Sequence, residues 1–253
     1  DYEADTTGFA FGADLPLGDD TWRLGAAFSA QRGDLDGSYG LSSDIEGYGF
    51  SVYGGKTFES GLNVTGALTY MAASHEVSEY NLGRVKADID ADMWTLGARV
   101  SMPFVKNRLW MTPYLGADVM KVKQDAFTSS WSGMSAFHHG DVDATIFRTP
   151  VGVKAGTFMP LELFGRSGTL NWDADLSFVP QFGDKDADYR VSGVSNGHTD
   201  GMTGDFVNDW LTTAKLGFGW QGAAGAFGIH YAVEKGDVRD WSSSVTAKAS
   251  LFF

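Results

Sequence analysis

Apolar and polar residues alternate along most of the chain. Phe9, Phe11, Ala13 and Leu15 alternate with Gly8, Ala10, Gly12 and Asp14. A period of two places alternate side chains on opposite faces of an extended strand. The rhythm returns in Trp22, Leu24, Ala26 and Phe28, then in Tyr48, Phe50 and Val52. It continues through Leu62, Val64, Gly66, Leu68 and Tyr70, and through Trp94, Leu96, Ala98, Val100 and Met102. Six more runs span Leu109 to Val119, Val151 to Ala155, Leu170 to Phe178, Trp210 to Phe218, Phe227 to Val233 and Val245 to Phe253. No long segment has helical periodicity. Most runs measure about 10 to 14 residues, longer than the roughly 5 to 6 of a soluble strand and long enough for a tilted membrane-spanning one.

The connections alternate as well. Short turns are predicted at 17–21, 59–61, 103–108, 160–167 and 221–225. Longer polar loops are predicted at 32–44, 75–87, 123–143 and 181–207, with a medium one at 235–240. Short turns on one side and long loops on the other are the habit of antiparallel outer-membrane barrels. The apolar face carries aromatic residues near the strand ends. Trp22, Phe58, Trp220 and Phe253 lie by the short turns; Phe28, Tyr70, Phe147 and Trp210 lie by the long loops. That placement fits two interfacial girdles. The opposite face carries Arg23, Arg99, Asp118, Lys154, Asp173, Asp175, Lys215 and Glu234. Charge in mid-strand suits a wet lumen.

Composition changes this picture little. A mean hydropathy of −0.15 resembles that of a soluble protein, but a barrel averages a lipid face and a lumen face on the same strands. A soluble sandwich or lipocalin-like barrel is the competing fold; with eleven long strands a sandwich would leave open edges to be covered. The expected fold is therefore all-β, a transmembrane antiparallel β-barrel forming one domain over residues 1–253. Bacterial single-chain barrels have even strand numbers, so the eleven visible runs imply either a twelfth strand missing ahead of the first, with Asp1 in the loop that follows it, which is the favoured reading, or a strand merged or missed within the glycine- and aspartate-rich segment 181–207.

The net charge of −13 argues against nucleic acid as a partner. The absence of cysteine removes disulfides and thiolate metal sites. Histidine lies beside carboxylate at His75–Glu76, His138–His139–Gly140–Asp141 and His198–Thr199–Asp200, and Ser135 is close to His138. Such pairs can orient a general base, yet an acidic chain fills its loops with them by chance. Adjacent His138 and His139 would point apart on a strand. Gly54–Gly55–Lys56 sits in a strand and is no phosphate loop. The residues thus predict no catalytic, cofactor or metal site.

Several segments resemble a known family in order and spacing. GFAFGADLPLGDDTWRLGAAFSAQRGDLDG is similar to two successive strands of the β-domain of classical autotransporters. GYGFSVYGGKTFESGLNVTGALTY resembles the hairpin that follows, WMTPYLGADVMKV and FRTPVGVKAG resemble later strands, and the alternation ending in Phe253 resembles the family's C-terminus. The resemblance implies a twelve-stranded, monomeric outer-membrane barrel of a Gram-negative bacterium. It implies an N-terminal passenger joined by a helix threaded through the lumen, and export of that passenger in type V secretion. The linker helix and first strand of that pattern are not seen here. The barrel-assembly machinery is implied as a partner beside outer-membrane lipid, reading a terminal signal of Val245, Ala247, Ala249, Leu251 and Phe253. The alternatives are a barrel protease or lipase with a rim site, and a passive pore or adhesin barrel.

Overall fold

The computed structural model describes residues 2–18, 21–37, 41–79, 84–163, 166–195, 197–205, 207–237 and 241–252. Asp1 and Phe253 lie outside the described residues. Five long strands come first: β1 (Tyr2–Leu17), β2 (Trp22–Gly37), β3 (Leu41–Thr57), β4 (Asn63–Glu79) and β5 (Val85–Ser101). A short β6 (Phe104–Lys106) leads into β7 (Leu109–Gln124), followed by a hairpin of β8 (Phe127–Trp131) and β9 (Met134–His139). Next come β10 (Val142–Arg148), β11 (Val151–Leu163) and β12 (Arg166–Gly183), then a second hairpin of β13 (Asp186–Gly193) and β14 (Thr199–Asp205). The series closes with β15 (Trp210–Gly222), β16 (Gly225–Gly236) and β17 (Ser242–Leu251). β10 and β11 are one strand interrupted at Thr149–Pro150, where proline removes a ladder donor. Counted together they make eleven long strands, matching the eleven runs of alternation.

The long strands form an antiparallel meander. The order is β1, β2, β3, β4, β5, β7, β10 with β11, β12, β15, β16, β17. β1 and β17 both run from the long-loop side to the short-turn side. Among the described residues each is paired along one edge, β1 with β2 and β17 with β16.

Register gives the strand tilt. One cross-strand row runs Leu17, Trp22, Lys56, Val64, Val100, Leu115, Val151, Phe178, Thr212, Lys235. It starts beside a short turn and ends beside a long loop. On β16 it lies ten residues above Gly225, the short-turn end of that strand. Ten residues at about 3.3 Å, against nine strand steps at about 4.8 Å, give a tilt of roughly 37°, inside the range of about 35–45° for membrane barrels.

The molecule is inside out. Among the described residues the buried apolar side chains are Ala87, Ala144 and Ile146 alone. Large apolar groups such as Phe11, Leu24, Phe50, Leu96, Leu115, Leu176 and Leu216 are exposed on the outer face. Rings pair at its margins: Phe11 with Phe28 at 5.4 Å, Tyr70 with Trp94 at 4.7 Å, Phe178 with Trp210 at 6.2 Å and Trp220 with Phe227 at 5.9 Å. At the short-turn margin the Lys56 ammonium lies over the rings of Trp22 and Phe58.

The long loops are where the structure corrects the sequence reading. Segments 32–44 and 75–87 are mostly strand, because β2 to β5 run on past the membrane. Segments 123–143 and 181–207 contain the β8–β9 and β13–β14 hairpins. Strands accordingly reach eighteen residues in β12, longer than expected. These extensions escaped notice because the faces exchange character. Above the girdle the outer face carries Asp34, Asp44, Glu76 and Asp88, in direct register with Asp5. The inner face there carries Leu35, Ile45, Val77 and Ile89. The period of two persists, but its phase is reversed.

Candidate functional site: the lumen wall

Each lumen residue is placed by strand parity. On β5 the odd positions Thr95, Gly97 and Arg99 share a face with Ala67 of β4 and Asp118 of β7, through the pairs Ala67–Gly97 and Gly97–Asp118. Together with Asp14, Arg23 and Tyr53 they line a recess of about 690 Å³. All eight predicted lumen charges fall on this inner face.

Most are engaged. Arg23 donates to Asp14 at 2.7 Å. Arg148 donates to Asp118 at 3.4 Å. Lys154 lies 3.4 Å from Asp173, and His230 lies 3.6 Å from the same carboxylate. The Tyr114 hydroxyl donates to Asp175 at 2.8 Å, and the Arg99 guanidinium stacks 4.4 Å from the Tyr114 ring. The Thr213 hydroxyl donates to Glu234 at 3.1 Å. Lys215 sits opposite Asp175 in register. The sequence reading missed Asp14, Tyr114, Arg148 and His230 as members of this wall. Parity alone would have found Asp14, Tyr114 and His230; Arg148 was hidden because the run was read only from Val151 onward, past the interruption at Thr149–Pro150.

Glycine makes two of these contacts possible. Asp173 on β12 and His230 on β16 meet across Gly217 on the strand between them. A Cβ at Gly217 would lie 2.5 Å from Asp173 Oδ1 and 2.6 Å from His230 Cδ2. Gly97 likewise leaves room for the Asp118 carboxylate. A second, smaller recess of about 190 Å³ is lined by Asn171, Asp173, His230, Lys248 and Ser250. Lys248 and Ser250 therefore sit on the lumen face of β17. Val245, Ala247, Ala249 and Leu251 occupy its other face, in register with Tyr231, Ile229, Phe227 and Gly225.

The histidine pairs do not assemble a reaction centre. His75 and Glu76 are successive residues of β4 on opposite faces, and Glu76 pairs with Lys86 at 3.4 Å. His139 contacts the Ser129 hydroxyl at 3.0 Å and stacks on Phe127 at 4.3 Å, while His138 contacts Thr128. Register pairs Ser135 with Ser130 rather than with His138. His198 lies 3.5 Å from Asp200, both well exposed. Burial, and then the neighbouring His138, hold the His139 imidazole below its ordinary range. Outside the membrane, Asp34 is raised because its carboxyl shares a hydrogen bond with Asp44. Among the described residues no three His, Asp or Glu groups converge on a metal site.

An apolar outer belt, a charged and paired lumen and alternating turn lengths define a membrane barrel. The model of the family described as autotransporter β-domain matches residues 1–232. The chain belongs to the autotransporter β-domain family. Solved structures of similar fold include the β-domain of the Bordetella autotransporter BrkA, with a TM-score of 0.69 and 16% identity over 100% of this chain and 92% of that one. The translocator domain of NalP from Neisseria meningitidis aligns with a TM-score of 0.73 and 13% identity, over 99% of this chain and 81% of that one. The transport unit of AIDA-I from Escherichia coli gives 0.68 and 14%, over 100% and 84%. No curated protein sequence matches the chain. As an autotransporter β-domain it is an outer-membrane barrel of a Gram-negative bacterium, and its role is translocation of a passenger to the cell surface.

Proposed function

We propose that the passenger-linked segment runs along the lumen and is steadied there by Arg23, Arg99, Asp118, Lys154, Asp173, Asp175, Lys215 and Glu234. The observation that carries this reading is the contrast of the two faces: an apolar outer belt around a wall of paired, water-accessible charge. Ion pairs on a wet wall contribute little stability, so their use lies in keeping the wall polar and able to exchange partners with a passing chain. One further antiparallel strand between β1 and β17 would satisfy the two edges left unpaired among the described residues, as an edge in hydrocarbon must be satisfied. With that strand, and a helix in its lumen, the barrel would be twelve-stranded and monomeric. The domain acts without catalysis of its own.

Assembly is assigned to β17. Val245, Ala247, Ala249 and Leu251 form its outer face, and with Phe253 they are proposed as the signal read by the barrel-assembly machinery. Deleting Phe253 is expected to lower the amount of heat-modifiable barrel in the outer membrane; unchanged amounts would overturn the assignment. For translocation, a reporter polypeptide joined ahead of the complete domain is expected to become protease-accessible on intact cells. A reporter retained in the periplasm beside a fully assembled barrel would refute the reading.

A further inference from the structure

The reversal of faces above the girdle leaves an apolar surface where no lipid can cover it. β5 is the simplest case. On one face it carries Thr95, Gly97 and Arg99 in the lumen, and then Ile89 and Val85 beyond the membrane. Register continues that face sideways: Val85 pairs with Trp131 of β8, and Trp131 pairs with Met134 of β9. Ser129 pairs with Phe137, so Phe137 joins the same face beyond a bulge. The β8–β9 turn is two residues long, with Ser132 at φ 51° and Gly133 at φ 85°. Positive φ at both central residues is the geometry that matches the twist of paired strands, and it holds Trp131 and Met134 side by side. These side chains are open to water: Trp131 is 52% exposed, Met134 73% and Phe137 45%.

We infer that this inner face of the extracellular wall is a docking surface for apolar side chains of the passenger polypeptide as it leaves the lumen. The inference rests on the translocator reading above. The occupant follows from continuity: the face is the upward extension of the lumen wall on the same strands, so a chain leaving the lumen meets it first. Charge disfavours the other occupants. The reverse side of the wall presents Asp5, Asp34, Asp44, Glu76 and Asp88. Covering that row of carboxylates with acyl chains would cost their desolvation, and the row repels the like-charged wall of a second copy. Capture outside the membrane has a direct consequence. A segment that buries apolar surface on Trp131, Met134 and Phe137 must give up that burial to slip back into the polar lumen. The surface would bias a diffusing chain outward without any energy source.

The test uses the full precursor in cells with an intact outer membrane. A photoreactive side chain is placed at Trp131 or Met134, and as controls at Thr128 or Ser130 on the other face of β8. Cross-links to the passenger during export are expected from the first pair and not from the second. Equal cross-linking from both faces, or cross-links from Met134 only to lipid or to a second barrel, would overturn the inference. The variant Trp131→Ser/Met134→Ser/Phe137→Ser is expected to slow surface appearance of the passenger by about tenfold, given the apolar area removed, with heat-modifiable barrel unchanged. An unaltered rate would also overturn it. Met134→Ser alone, at the most exposed of the three positions, serves where the triple variant fails to assemble; it is expected to slow export by about twofold to threefold. If the unaltered precursor assembles its barrel but never displays its passenger, the translocator reading fails, and this inference with it.

Discussion

Leu96 and its neighbour Thr95 offer a decisive test of which face meets lipid. They are successive residues of β5. Leu96 lies in a row with Val52, Leu68, Val119 and Phe147 on the outer face. Thr95 lies with Ser51, Thr69 and Met120 on the inner one. Leu96 is 57% exposed. For a leucine side chain of about 150 Å² that leaves roughly 85 Å² against lipid, about 2 kcal/mol of transfer free energy at about 25 cal/mol/Å². Arginine at that place loses this gain and adds a cost of its own, about 2–4 kcal/mol at the midplane and less toward the girdle, where Trp94 sits. Leu96→Arg is therefore expected to destabilise the barrel by about 3–5 kcal/mol, more than a hundredfold in the folding equilibrium. Thr95→Arg faces a lumen that already holds Arg23, Arg99 and Arg148, and should cost about 1 kcal/mol or less. The assay is reversible unfolding in lipid vesicles with urea or guanidinium, followed by tryptophan fluorescence and by heat-modifiable migration. Equal costs for the two variants, or a larger cost for Thr95→Arg, would refute the facial assignment and every lumen residue named from it.

Gly217→Val should force Asp173 and His230 apart, since the added carbons occupy the space where they meet; a loss of about 1–3 kcal/mol is expected, read by the same unfolding assay, whereas Gly201→Val, where a Cβ meets nothing, should change little. The seam between β9 and β13, where His139 pairs with Val191 and His138 with Ser192, is expected to weaken in acid. The His139 imidazole titrates below its ordinary value in the folded wall, so the unfolded segment binds more protons and stability falls as pH drops below about 6.5. Amide hydrogen exchange across 127–139 and 190–194 should accelerate between neutral pH and about pH 5 after correction for intrinsic rates; His139→Gln should abolish the excess, and an unchanged profile would rule out the histidine as its source.

The membrane-spanning part of this fold is legible because hydrocarbon and lumen impose opposite demands on adjacent residues. Trp94, Leu96 and Ala98 against Thr95, Gly97 and Arg99 is a pattern that no tertiary contact needs to override. For the same reason parity alone put eight charged residues on one face, opposite the apolar one, although it could not say that Asp173 reaches over Gly217 to His230. That contact depends on a third strand and on the absence of a side chain between two others. The extracellular wall was illegible for a different reason. A search for apolar residues on one fixed phase stops at Phe28 and Tyr70, where the outer face meets water, and it reads Asp34, Asp44 and Glu76 as loop. Water does not end the strand; it moves the apolar requirement to the other face. Leu35, Ile45 and Val77 continue the period of two one residue out of phase. The point at which the phase flips marks the outer boundary of the membrane on β2, β3 and β4 more sharply than the aromatic girdle does. It also separates two surfaces of one strand face: below it the face is polar and wet, and above it the same face is apolar, as the proposed route of the passenger requires.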